Sequence, residues 1–181
     1  MQPGQVFASA ASQQACSPPT GTLVLGLGNP ILGDDGAGWR VAEFLREKLP
    51  CQAHAPESVL ELDCAALGGI GLMERILGYD RVILIDAVQS GARPPGTVSV
   101  CRLEQLADPS VGHSTSAHDA SLLTALELAR VAGGRVPARI DVVGIDVAGT
   151  TSFSEQLSSA VSAAVPQAAH AVLALLTEES N

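Results

Sequence analysis

Apolar positions along this chain follow two alternating rhythms. Leu23-Val24-Leu25 and Val82-Ile83-Leu84-Ile85 are uninterrupted apolar runs of strand length, the pattern of strands covered on both faces. Between and after them, apolar residues recur at helical spacing. A helix is predicted from about Gly36 to Leu49, with Trp39, Ala42, Phe44 and Leu45 facing inward. A weaker strand is predicted over Ser58–Asp63, then a helix from about Gly69 to Leu77. After Asp86 comes a loop over 88–96, and Thr97–Leu103 alternates apolar with polar. That link is too short for a parallel crossover, so this strand is expected to run antiparallel near an edge. A further loop leads to a helix at about 116–132, Ile140–Ile145 forms another strand, and a final helical region covers about 155–178, where Pro166 is expected to kink or split it. The sum is a three-layer α/β/α arrangement: a mixed, mainly parallel sheet of about five strands with helices on both faces.

Residues 1–20 break this pattern. Rich in Ala, Ser, Gln and Pro and ending in Pro18-Pro19, they read as a disordered extension, leaving 21–181 as a single α/β domain. Aromatic residues are 3% of the chain, so Ala, Val, Leu and Ile must build the core. The net charge of −9 and the lack of a basic run argue against a nucleic-acid partner, whose phosphates need a Lys/Arg footprint. No segment approaches 18 consecutive strongly apolar residues, so none is expected to span a membrane, and the N-terminus does not read as a secretory signal. Cys16, Cys51, Cys64 and Cys101 form no C-x-x-C pair and read as thiols in a reducing compartment, here the cytoplasm.

In open α/β sheets, ligands bind beyond the carboxyl ends of the strands. That rule selects three places. The first strand runs into Gly26-Leu27-Gly28-Asn29-Pro30 and then Gly33-Asp34-Asp35-Gly36-Ala37-Gly38; the buried strand ends at Asp86; and a helix opens at Ser114-Thr115-Ser116-Ala117-His118-Asp119. Each residue has a structural reading. Asp34 is the better helix cap and Asp35 a charge at the helix dipole; Asp86 is a loop carboxylate satisfied by backbone N–H groups; and His118, inside a Ser116-x-x-Asp119 capping box, is a first-turn residue. Gly36 and Gly38 point to close backbone packing nearby. The functional reading joins Asp35, Asp86 and His118. Two carboxylates and an imidazole kept neutral by the helix dipole make a three-ligand set with an open coordination position, without thiolate and so suited to Zn, Ni or Fe. Spacing alone does not bring the three together. His54, His113 and His170 read as structural. The G-x-G-x-x-G fingerprint fails at Ile31, and G-x-S-x-G is missing.

Taken together, Leu25-Gly26-Leu27-Gly28-Asn29 with Gly33-Asp34-Asp35-Gly36-Ala37-Gly38, Leu84-Ile85-Asp86-Ala87-Val88 with Pro95-Gly96-Thr97, and Ser116-Ala117-His118 resemble the hydrogenase maturation proteases. Val143-Gly144-Ile145 and Leu157-Ser158 also fit, so the resemblance covers roughly residues 22–178. It implies a phosphorylase/hydrolase-like fold and an endopeptidase that removes a C-terminal extension from the large-subunit precursor of a nickel–iron hydrogenase once nickel is in place. It implies that Asp35, Asp86 and His118 are the catalytic and metal-contacting residues. The metal is then nickel, expected to arrive with the precursor, with zinc or cadmium able to substitute in vitro. One departure bears on the crevice wall and on the choice of hydrogenase: family members often carry a Gly-Gly-Thr turn after the second strand, where Cys64-Ala65-Ala66-Leu67-Gly68-Gly69 stands here.

Two rivals remain at this level. Peptidyl-tRNA hydrolase also begins with Gly-Leu-Gly-Asn-Pro, but needs a catalytic histidine soon after it and a basic face. A non-catalytic nickel-sensing chaperone would use the same three ligands.

Overall fold

Five strands build one sheet: β1 (Gly21–Leu27), β2 (Val59–Ala65), β3 (Arg81–Val88), β4 (Val98–Arg102) and β5 (Arg139–Asp146). The computed structural model describes residues 21–49, 59–106, 117–149 and 153–178; residues 1–20, with the proposed extension, lie outside these. The spatial order is β2-β1-β3-β5-β4. β1, β2, β3 and β5 run parallel, and β4 pairs antiparallel with β5 at the edge, as its short connection requires. β1, β3 and β5 occupy the middle of the sheet and are the most apolar strands. β3 continues through Asp86 to Val88, two residues past the expected end, because Asp86 to Val88 keep pairing with Gly144 to Asp146.

Helices cover both faces. α1 (Ala37–Lys48) and α5 (Ser159–Thr177) pack against one face, where Val24, Ile83, Ile85, Val143 and Ile145 meet Val41, Leu45, Val161 and Val172. α2 (Gly69–Ile76) and α4 (Ala117–Val131) cover the other, where Leu23, Leu25, Val82, Leu84 and Val142 meet Leu72, Ile76, Leu122 and Leu126. Odd and even strand positions thus feed different cores, as the period of two demands. A short helix, α3 (Leu103–Leu106), stands where a loop was expected: Leu103 and Leu106 are both buried and hold the turn against the second core.

Three further expectations change. α5 begins at Ser159, capped by the Ser158 hydroxyl accepting the Val161 N–H at 3.4 Å, and is continuous across Pro166. Pro166 lies on the exposed face, where the carbonyl it leaves without a donor can meet water. α5 is long and apolar enough by composition to cross a membrane, yet its Val161, Val165, Ala168, Val172 and Leu175 are buried in the first core. Trp39 is half-buried rather than inward-facing, with its Nε1 enclosed and without a hydrogen-bond partner.

Candidate active site

The loop after β1 is shaped by glycine. Gly28 has φ +116°, and a Cβ there would overlap the Asp35 carbonyl oxygen. The chain can therefore fold back on the 3-10 turn Gly33–Gly36 with no side chain between. The Asn29 N–H donates to Asp35 Oδ2 at 2.6 Å, and Asn29 Oδ1 accepts the Ile31 N–H at 3.2 Å. Asp35 is thus aimed by the backbone it sits against. Gly38, at the start of α1, lies directly on the Leu27 and Ile85 carbonyls, so α1 presses on the ends of β1 and β3. The close packing expected near Gly36 and Gly38 is present.

Neither aspartate caps α1. Its N-cap is Gly36, without a side-chain hydrogen bond, because the intervening 3-10 turn removes both carboxylates from capping position. Asp34 instead reaches across the sequence and accepts the Ser158 N–H at 2.6 Å, tying the start of α5 to the Asp35 loop.

Asp86 reaches the same place from the neighbouring strand. It is half-buried, and its Oδ1 accepts the Ala87 N–H at 2.9 Å. Its even position puts it on the face of Val82 and Leu84, the side covered by α2 and α4. Asp35 and Asp86 both line a cleft of about 350 Å³ whose far wall is Ala66, Leu67, Gly68 and Leu72. That wall contains the segment in which the sequence departs from the Gly-Gly-Thr pattern.

α4 carries His118 in its first turn, as expected. The 132–138 link returns the chain to the amino end of the sheet, where the Gly78 N–H donates to the Arg135 carbonyl and the Ala138 N–H to that of Asp80. α4 therefore runs against the parallel strands, and its first turn points towards the carboxyl edge. The His118 side chain lies outside the described residues, as do Ser114–Ser116 with the proposed capping box, His54, His113, Cys16 and Cys51. His170 is exposed on α5. Among the described residues no three metal-binding side chains converge. The cleft does bring two carboxylates, one from the turn after β1 and one from β3, to one small volume. Such a pair can share a cation or take a proton from water.

Beneath the far wall, β2 and α2 are tied by a charged network that the sequence reading missed. Arg75 bonds Asp63 at 2.8 Å through Nη2, bonds Glu61, and bonds the Tyr79 hydroxyl at 3.0 Å, while Tyr79 donates to Glu61. Burial alone would raise the Asp63 carboxyl; the Arg75 hydrogen bond, the Cys64 N–H and the nearby guanidinium charges outweigh it and hold its pKa below the ordinary value. Burial pushes the Tyr79 hydroxyl and the Cys64 thiol up. A second missed feature lies across the sheet. Asp146, 1% exposed at the end of β5, pairs with Arg93 at 2.8 Å and accepts the Ser90 hydroxyl, fixing the loop that follows β3. Charged residues at 61, 63 and 75 offered a hint; the Asp34–Ser158 and Ser90–Asp146 links, 124 and 56 positions apart, left no local signal.

A family model described as hydrogenase maturation protease matches residues 45–175 of this chain. The chain belongs to the hydrogenase maturation protease family. The hydrogenase 2 maturation protease of Escherichia coli K12 is 30% identical over 157 residues, covering 86% of this chain and 90% of that protein. The structure of the hydrogenase maturating endopeptidase HybD from E. coli superposes with a TM-score of 0.70 at 28% identity, covering 88% of this chain and 93% of that one. The NiFe hydrogenase maturation protease HybD from Thermococcus kodakarensis gives 0.64 at 27%, covering 86% and 98%. This maturation protease is a peptide hydrolase, and the peptidyl-tRNA hydrolase and non-catalytic chaperone readings fall away. The family model begins after Asp35, so the case for that residue rests on the cleft.

Proposed function

We propose that this maturation protease removes the C-terminal extension from the large-subunit precursor of a nickel–iron hydrogenase after nickel insertion, with Asp35, Asp86 and His118 as the reacting set. One observation supports this above the others: Asp35 and Asp86 line a single cleft, one from the 3-10 turn that follows β1 and the other from the last part of the neighbouring parallel strand β3. The first turn of α4, bearing His118, opens towards the same edge. Hydrolysis needs a water to lose a proton as it attacks and the departing nitrogen to gain one. Backbone-anchored carboxylates can accept that proton without reorganising. The same oxygens, with an imidazole nitrogen, suit the nickel carried by the precursor, so that gripping it aligns the neighbouring peptide bond. Zinc or cadmium would occupy this donor set in vitro. We assign the enzyme to the cytoplasm, in keeping with Cys64 as a free thiol.

Incubation with nickel-loaded and nickel-free precursor, followed by mass spectrometry of the large subunit, tests this reading. Cleavage of the nickel-loaded form alone is expected. Asp35→Asn, Asp86→Asn and His118→Ala should each lower processing at least about a thousandfold, with far-UV circular dichroism unchanged. Full activity in any one removes that residue from the mechanism, and an uncut nickel-loaded precursor overturns the reading.

A further inference from the structure

The cleft that holds the two carboxylates is lined unevenly. Asn29, Asp35 and Asp86 supply its polar side chains, while the far wall of Ala66, Leu67, Gly68 and Leu72 supplies none. Leu72 is 1% exposed and belongs to the second core, so it closes the back of that wall. Leu67 is 43% exposed. It stands in the connection between β2 and α2, with its Cδ2 3.5 Å from where a Cβ on Gly71 would lie. Part of the side chain therefore leans on α2 and the rest is open to the cleft.

The connection that carries Leu67 is fastened at both ends. Glu61 and Asp63 precede it on β2, Arg75 follows it in the last turn of α2, and the Arg75 guanidinium bonds both carboxylates. The wall is thus set in place before a ligand arrives. An exposed leucine is ordinary by itself. This one lines the same cleft as Asp35 and Asp86, so a peptide lying between the carboxylates and the far wall covers it.

We propose that Leu67 is a specificity-determining residue, which contacts the first side chain of the released extension and selects an aliphatic one of limited size. This rests on the proposed function. The nickel stays with the body of the precursor when the extension is removed, and Asp35 and Asp86 grip it. The retained side of the scissile bond then lies over the carboxylates, which leaves the far wall for the first residue beyond the cut. That residue meets aliphatic atoms, with no side chain on the wall to pair a charge or an amide. Leu67 sets the depth available to it, because Leu72 behind is already packed into the core.

The test measures kcat/KM on three nickel-loaded precursors that carry Leu, Asn or Phe as the first residue of the extension. Leucine and asparagine are close in size and differ in polarity; phenylalanine differs in size. The full chain should cut the Leu precursor at least about tenfold better than the Asn precursor. Leu67→Thr should shrink that Leu-to-Asn ratio about tenfold, and Leu67→Ala should shift the Leu-to-Phe ratio about tenfold towards Phe. A purely structural role for Leu67 lowers all three substrates by one factor and leaves the ratios alone. Ratios within twofold of wild type in both variants therefore overturn the assignment while the proposed function stands. If the full chain cuts none of the three, the proposed function fails, and calorimetric binding of the same precursors decides Leu67. The same shifts in the ratios of Kd uphold it; unshifted ratios, or no binding, overturn it.

Discussion

The two ends of the sheet hold carboxylates in opposite ways. At the amino end, Asp141 is 2% exposed and saturated with guanidinium groups. Arg81 bonds it through Nε and Nη2 at 3.0 and 2.8 Å, Arg139 at 2.7 Å, and Arg102 pairs with its other oxygen at 3.2 Å. Arg81 also donates to the Leu175 carbonyl in the last turn of α5, so one guanidinium joins β3, β5 and a helix end. At the carboxyl end, Asp35 and Asp86 are half-buried, held by the Asn29 and Ala87 N–H groups, and turned towards a cleft. Backbone donors orient both carboxylates towards that cleft. Saturation by three arginines at Asp141 leaves little for a ligand. The first arrangement makes a joint, the second a candidate site.

The contrast predicts separable losses. The Asp35→Asn and Asp86→Asn variants should lose activity by the largest factor in the molecule, with stability within about 1 kcal/mol of wild type, because asparagine keeps a side-chain oxygen to accept the Asn29 and Ala87 N–H groups. Asp141→Ala should do the reverse. Removing one partner leaves Arg81, itself 3% exposed, as an uncompensated buried charge, at a cost of about 3–5 kcal/mol. Urea unfolding measures it. An Asp141→Ala protein with an unshifted midpoint would mean the amino-end cluster is not the joint its geometry describes. Replacing Arg81 and Asp141 together by Met and Leu should recover much of the loss, since no fully buried charge is then stranded: Arg139 and Arg102, which also bond Asp141, are partly exposed.

How much of this was legible in the sequence follows from the range of each interaction. The strands, their order of use and the antiparallel edge strand could be read because each rests on local apolar runs or on the length of one connection. Asp35 and Asp86 could be placed at the carboxyl edge, where both line the cleft, because the carboxyl-end rule ties position to topology. The role of Asp34 was misread: a helix cap is a local guess, and the bond it makes instead is to Ser158, 124 residues away. The Asp141 cluster went unseen for the same reason. Its arginines come from three strands, and only the sheet register brings residues 81, 102, 139 and 141 to one point. α3 was missed because a four-residue helix has no period to detect.

Gly28→Ala tests whether the carboxyl end depends on its backbone as directly as the contrast implies. At φ +116°, with the Asp35 carbonyl where a Cβ would stand, the substitution must displace the Asp35 turn. A stability loss of about 1–3 kcal/mol is expected, together with a fall in processing larger than that loss accounts for at a temperature where the variant is folded. Gly91→Ala is the control: it also has positive φ, at +66°, but a Cβ there meets nothing within 4 Å. It should lose only the cost of its positive φ, about 1 kcal/mol, and keep its activity. Equal activity in the two variants would show that the Asp35 turn tolerates movement.

The network below the far wall of the cleft lies between the two extremes and gives the smallest effect. Asp63 is bound by Arg75, but its side chain is 44% exposed, so the pair is worth under about 1 kcal/mol. Its sign is still fixed. The folded-state pKa of Asp63 lies below the ordinary 3.8, chiefly because the Arg75 hydrogen bond overcomes the upward push of burial. Its contribution is therefore fully present above pH 3.8 and is lost as pH falls further, through the folded value. In Arg75→Met the aliphatic stem is kept, but the donor is gone and only the Cys64 N–H and the Arg46 charge are left to oppose burial, so Asp63 should titrate above its wild-type value. Carboxyl carbon shifts followed by NMR from pH 7 to 2.5 read this directly. The stability gap between wild type and Arg75→Met should narrow below pH 3.8. A gap that widens on acidification would mean Asp63 is not held in its ionised form, and that the network resembles the open cleft above it more than the saturated joint at the other end of the sheet.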